Sequence, residues 1–270
     1  MSIAAGGRVR TLLCSLAFAT ATAAAAGAAR GERLVDVRQV ARGGYLAPRF
    51  APDGRALLVS GPKLRGLYLA ALRGGVVQLT GDEGAGVNAR FTAQGTVAYQ
   101  GVRDGARREL VIERDGSIRA AVASQPVAFS RDDRMYAIDR RGGLVRVGSG
   151  DRFFGEVVSP DGDKVAFQGL TTGIYVYTRS TGALVHVGRG TAPAWSPDSQ
   201  RLAFERTEDD GHDIIASDIF VYDLATARVA AVTHTDRVTE RRPSFSADGA
   251  SMAWDDGEGA VYLGRLEVSP

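Results

Sequence analysis

The feature that most constrains this chain is a short phrase written six times. "PRFAPDGRALLVS" (48 to 60), "ARFTAQGTVAYQ" (89 to 100), "VAFSRDDRMYAID" (127 to 139), "EVVSPDGDKVAFQ" (156 to 168), "PAWSPDSQRLAFE" (193 to 205) and "PSFSADGASMAWD" (243 to 255) share one pattern. Their turns begin at Ala51, Thr92, Ser130, Ser159, Ser196 and Ser246, at intervals of 41, 38, 29, 37 and 50 residues. A repeat of roughly 40 residues is the length of one four-stranded propeller blade.

Each copy reads as a β-hairpin. An aromatic or β-branched residue (Phe50, Phe91, Phe129, Val158, Trp195, Phe245) closes a short strand, and Pro-Asp-Gly or a relative reverses the chain. Pro presets φ, Asp hydrogen-bonds the backbone ahead of it, and Gly accepts φ > 0. Alternating apolar residues follow, such as Val165 and Phe167 or Leu202 and Phe204, which is the period of a strand. Third strands are read at 66–72, 109–115, 173–179, 218–224 and 260–266, and fourth strands at 76–80, 118–123, 184–188 and 229–234. The 29-residue third unit has room for "LVRVG" (144 to 148) and little more, so it is expected to be the most degenerate blade.

The sixth unit shows three strands, while "RLVDVRQV" (33 to 40) stands upstream of the first motif without a partner. Pairing the two leaves no long open edge. The expected fold is therefore all-β: a six-bladed β-propeller, its ring closed by a strand at about 33–40 completing the C-terminal blade.

"MSIAAGGRVR" followed by "TLLCSLAFATATAAAA" has the charged and apolar regions of a secretory signal peptide, with small-residue cleavage options at Ala26 to Ala29. The expected organisation is a signal peptide at 1–29 and a propeller at 30–270, exported to the periplasm or secreted, with no membrane span after cleavage. Loss of Arg8 and Arg10 from 33 Lys and Arg leaves 31 against 31 Asp and Glu, a neutral balance that gives no case for nucleic acid. The single cysteine, Cys14, leaves with the leader, so no disulfide or thiolate is expected in the mature chain.

The motif Pro-x-aromatic-Ser-Pro-Asp-Gly, then apolar-Ala-Phe, then Ile-Tyr-Val-x-Asp resembles the propeller repeats of the TolB family. "PAWSPDSQRLAFE" with "DIFVYDLAT", and "SPDGDKVAFQ" with "GIYVYT", carry the likeness, which runs from about Val35 to Glu267. It covers the propeller part only and does not extend to the α/β domain that precedes it in TolB. The resemblance implies a non-enzymatic, monomeric binding or scaffolding module of the cell envelope, docked on an envelope protein or lipoprotein. The alternative reading is a metal-dependent lyase-like or sugar-binding propeller.

No Gly-x-Ser-x-Gly elbow, His-Glu-x-x-His, Walker loop or dinucleotide fingerprint is present, and no catalytic residue, metal site or cofactor is expected. The recurring turn aspartates Asp53, Asp161, Asp198 and Asp248 are read as turn-formers. His186 and His234 are read as packing or surface residues.

Two departures from the repeat mark the candidate binding residues. "EDDGHDIIASD" (208 to 218) inserts Asp209, Asp210, His212 and Asp213 between two strands of blade five, where oxygen and imidazole groups could meet a cation or partner. Arg49, Arg90, Arg241 and Arg242 stand on or at the entry to first strands, the strands that line a propeller channel. A guanidinium cluster there suits a carboxylate or phosphate. The bland counterpart is pairing with rim acids such as Asp82, Glu83 or Glu240.

Overall fold

The computed structural model describes residues 32–268 apart from 87, 93, 104, 123–125, 213 and 236–237. The expected leader lies outside the described residues. No helix among the described residues is long and apolar enough to cross a membrane.

The strands run in chain order as antiparallel meanders. β1 (Glu32–Arg42) precedes blade one, which is β2 (Leu46–Phe50), β3 (Ala56–Ser60), β4 (Leu67–Ala71) and β5 (Val76–Thr80). Blade two is β6 (Arg90–Phe91), β7 (Val97–Arg103), β8 (Ala106–Ile112) and β9 (Ile118–Ala120). Blade three has three strands, β10 (Ala128–Arg131), β11 (Arg134–Ile138) and β12 (Leu144–Val147), as its short interval required. Blade four is β13 (Phe153–Val158), β14 (Lys164–Gly169), β15 (Gly173–Thr178) and β16 (Leu184–Gly188). Blade five is β17 (Thr191–Trp195), β18 (Arg201–Asp209), β19 (Ile214–Asp223) and β20 (Arg228–Ala231). Blade six is β21 (Arg241–Phe245), β22 (Ser251–Asp255) and β23 (Ala260–Val268), and its outer strand is β1, paired from Glu32↔Val268 to Arg42↔Ala260. The architecture is a six-bladed β-propeller, and the N-terminal strand completes the last blade as expected.

Second strands sit in the middle of the packing. β3 is buried along its whole length, β14 and β22 are nearly so, and β18 is buried from Leu202 to Glu205 before it runs out to exposed Glu208 and Asp209. Burial on both faces explains why they read as unbroken runs such as Leu-Leu-Val and Leu-Ala-Phe rather than as strict alternation. Blades three and four form one compact unit, with Met135, Ala137, Phe153, Val165, Phe167 and Tyr177 in its core. Blades one, two, five and six form the other. In that unit Leu57, Val59 and Ala70 pack with Ala253 and Val261, which joins blade one to blade six. Phe245, Met252 and Trp254 meet Ala203, Ile219 and Val221, which joins blade six to blade five.

The repeated turn is held by side chains. Ser159, Ser196 and Ser246 accept the N–H of Lys164, Arg201 and Ser251, each at 2.9 Å, and donate to Asp161, Asp198 and Asp248. Each aspartate also accepts a backbone N–H two residues on, from Asp163, Gln200 and Ala250. Burial opposes ionisation of Asp161, but hydrogen bonds from Lys164 and Ser159 outweigh it and hold the carboxyl down to about 2. The turn aspartates therefore recur because they close the turn.

Candidate binding site at the inner strands of blades five, six and one

The first strands carry a bulge that builds this site. β2, β17 and β21 break register between Leu46 and Arg49, Thr191 and Ala194, and Arg241 and Ser244. At each break a non-glycine residue ahead of a proline takes positive φ: Ala47 (51°), Ala192 (53°) and Arg242 (52°). Such a conformation costs roughly 1–2 kcal/mol and turns the local N–H out of the ladder.

At two of the three bulges an acid of the preceding blade takes that N–H. The Arg242 amide donates to Glu205 Oε2 at 2.6 Å, and the Ala47 amide donates to Asp255 Oδ2 at 2.9 Å. Glu205 lies midway along the second strand β18 and Asp255 ends the second strand β22; they are 2% and 0% exposed. A buried carboxylate needs counter-charge as well as hydrogen bonds. Arg242 supplies both at Asp255, with Nε on Oδ2 at 2.7 Å and Nη2 on Oδ1, and Gly257 N–H completes the shell at 2.9 Å. Arg241 Nη2 stands 3.3 Å from Glu205 Oε1, which also accepts the Thr191 hydroxyl at 3.1 Å. Burial works against the charge on Arg242, but Asp255 and Glu205 more than offset it and raise its pKa.

Arg49 belongs to the same cluster without sharing its pairs. Burial lowers its pKa most, Asp255 and Glu205 pull the other way, and Arg242 adds to the lowering. Its hydrogen bond is Nη1 to the Pro48 carbonyl at 2.9 Å, and among the described residues it forms no ion pair. The structure thus brings Arg49, Arg241 and Arg242 together. Arg90 stands apart: it is exposed and pairs with Glu109 on its own blade.

The acids expected to neutralise these arginines do not do so. Asp82 accepts the Tyr99 hydroxyl at 2.6 Å, Glu83 pairs with Arg65, and Glu240 is buried beside Asp218, Thr233 and Thr235. Glu205 and Asp255 were missed because they close an apolar run and look like the first residue of a loop. The signal was their place in the repeat, where other copies carry Ser60 and Gln168.

The 208–218 insertion is the tip of the β18–β19 hairpin. Asp209, Asp210 and His212 are exposed there, with Asp209 accepting Gly211 N–H at 3.1 Å and Asp210 accepting His212 N–H at 2.9 Å; Asp213 lies outside the described residues. Asp209 is four residues beyond Glu205 on β18, about 13 Å along an extended strand. Among the described residues no three His, Cys, Asp or Glu side chains converge in a group able to hold a metal ion. His186 stacks on Tyr175 with ring centroids 4.7 Å apart, a packing role.

No protein-family model and no curated protein sequence matches the chain. Solved structures do. A gluconolactonase from Xanthomonas campestris aligns at TM-score 0.58 and 16% identity, over 87% of this chain and 91% of its own. An oligogalacturonate lyase from Vibrio parahaemolyticus aligns at TM-score 0.53 and 14% identity, over 86% and 95%. A candidate TolB from Agrobacterium tumefaciens aligns at TM-score 0.39 and 16% identity, over 88% of each chain. The better-aligned structures support the propeller fold and not the TolB family specifically.

These matches overturn the expectation that the chain is not an enzyme, because structures sharing its fold over most of its length are enzymes by name. The physical reason is plain. A propeller assembles its site from inner-strand ends far apart in sequence, so missing linear catalytic motifs carries no weight against catalysis.

Proposed function

We propose that the chain is a lyase-like or sugar-binding propeller that takes a carboxylate-bearing carbohydrate at the inner strands of blades five, six and one. The observation that carries this is the guanidinium cluster of Arg49, Arg241 and Arg242, the last two paired with Glu205 and Asp255, buried acids that follow the apolar runs of β18 and β22. A charged network in that position is costly to build, and a hydrophobic replacement would serve packing as well. Rigid, pre-paired arginines are the groups suited to orient a carboxylate. The names of the two fold neighbours, a gluconolactonase and an oligogalacturonate lyase, direct the choice of ligands.

The test is calorimetric titration of the protein with gluconate, gluconolactone and oligogalacturonate, with parallel assays for lactone opening and for unsaturated product. The expected result is saturable one-to-one binding of at least one of them, with mutual competition. Absence of both binding and turnover at millimolar ligand would refute the reading.

A further inference from the structure

We infer that the site takes one carboxylate and that Arg49 is the residue that binds it. The inference rests on the function proposed above and narrows it.

The basis is the pairing of charges. Two buried carboxylates hold two guanidiniums: Arg241 on Glu205 and Arg242 on Asp255. Each acid is further saturated by the amide, hydroxyl or bulge N–H described above, so neither has capacity to neutralise a third cation. Arg49 is the third. It sits near enough to feel Asp255, Glu205 and Arg242, is half-buried on β2, and among the described residues its side chain donates only to the carbonyl of its own neighbour Pro48. The remaining acid close by, Asp256, adds to the charge that holds Arg242, and its Oδ1 is occupied by the N–H groups of Glu258, Gly259 and Ala260 at 2.8, 2.8 and 3.0 Å.

A guanidinium has five donors in a planar fork and stays charged, so withdrawing it from water without a counter-ion is unfavourable. A ligand carboxylate satisfies both the charge and the fork. The surplus is a single positive charge, so one carboxylate completes it and a second has no partner. Arg241 and Arg242 stay on their acids and act as a fixed rim that positions Arg49.

The chemistry separates cleanly with three sugar derivatives of one carbon chain: sorbitol with no carboxylate, gluconate with one and glucarate with two. Each is titrated into wild-type protein, Arg49→Gln, Arg49→Lys and the distant control Arg119→Gln, with inorganic phosphate as competitor. Gluconate is expected to bind wild type about tenfold to a hundredfold more tightly than sorbitol, the range for a charge-assisted pair. Glucarate should gain no more than the statistical twofold of carrying two carboxylates. Arg49→Gln should lose the gluconate preference, Arg49→Lys should keep part of it, and Arg119→Gln should keep all of it.

Should Arg49→Gln fail to fold, the wild-type preference itself must still weaken with salt, as an ion pair does. Equal binding of sorbitol and gluconate overturns the carboxylate assignment while leaving a sugar site standing. Phosphate displacing gluconate at equal concentration overturns it in favour of a general anion site. If gluconate, sorbitol and oligogalacturonate all fail to bind, the proposed function falls with it.

Discussion

Glu240→Gln is expected to stabilise this protein at alkaline pH and to leave it unchanged in weak acid. Glu240 lies just ahead of β21 and is 6% exposed. Its backbone is stitched to β19, with Glu240 N–H on Ser217 O and the Ser217 hydroxyl on Glu240 O, each at 2.9 Å. Its Oε2 is buried, with no hydrogen-bond partner among the described residues. Asp218 faces it, and Asp218 in turn accepts Thr235 N–H at 3.1 Å and stands 3.9 Å from the exposed His234 ring. The Thr233 hydroxyl has one proton to give, and both acids compete for it.

Burial above all, with the charge of Asp218, pushes the Glu240 carboxyl from 4.5 up to about 7 against the pull of the Thr233 and Thr235 hydroxyls. Between those values the folded chain holds a proton that the unfolded chain has released. Stability therefore falls as pH rises from 4.5 to about 7 and is flat above it. At 1.36 kcal/mol per pH unit the loss is about 3 kcal/mol. Gln is neutral throughout, so the variant should lack this slope and melt roughly 6–12 °C above wild type at pH 8, using 2–4 °C per kcal/mol for a domain of this size. Calorimetric melts of both proteins from pH 4.5 to 8.5 decide it. Parallel pH profiles for the two, or a less stable variant at pH 8, would refute the reasoning.

Two further substitutions probe the frame. Gly259 has φ of +108°, and a Cβ there would lie 2.1 Å from Gly44 Cα, whereas at Gly116, φ of +84°, a Cβ meets nothing within 4 Å. Gly259→Ala should therefore cost about 3 kcal/mol and Gly116→Ala about 1, read by urea melts. Ser196→Ala removes the hydroxyl that ties Asp198 to the Arg201 amide and should cost about 1–2 kcal/mol. Asp198 is held below its ordinary pKa, burial being outweighed by its hydrogen bonds to Ser196 and Gln200, so its contribution is lost as pH falls below 4. The Ser196→Ala penalty should accordingly shrink in acid.

The repeat made the propeller legible because each blade must supply one inner hairpin, and the turn that makes it needs Ser, Asp and Gly in fixed places. The short third interval foretold the missing strand after β12, and the unpartnered 33–40 segment foretold β1 on β23. The site was legible only in part. Arg49, Arg241 and Arg242 break the repeat and could be singled out, yet their grouping without Arg90 depends on the positive-φ bulges at Ala47 and Arg242. Nothing in "LAPRF" or "RRPSF" announces a left-handed residue before proline, since that conformation is unfavourable locally and is held by acids contributed from other strands. Glu205 and Asp255 were hidden for the complementary reason: burial of an acid is decided by the arginine that meets it, 36 residues away in one case.

Arg49 is proposed to bind a ligand carboxylate. A crystal structure of the protein grown with saturating gluconate tests it most directly. The gluconate carboxylate is expected on the Arg49 guanidinium, with Arg241 and Arg242 still on Glu205 and Asp255. Gluconate ordered elsewhere with Arg49 unchanged, or Arg242 leaving Asp255 to take the ligand, would contradict it.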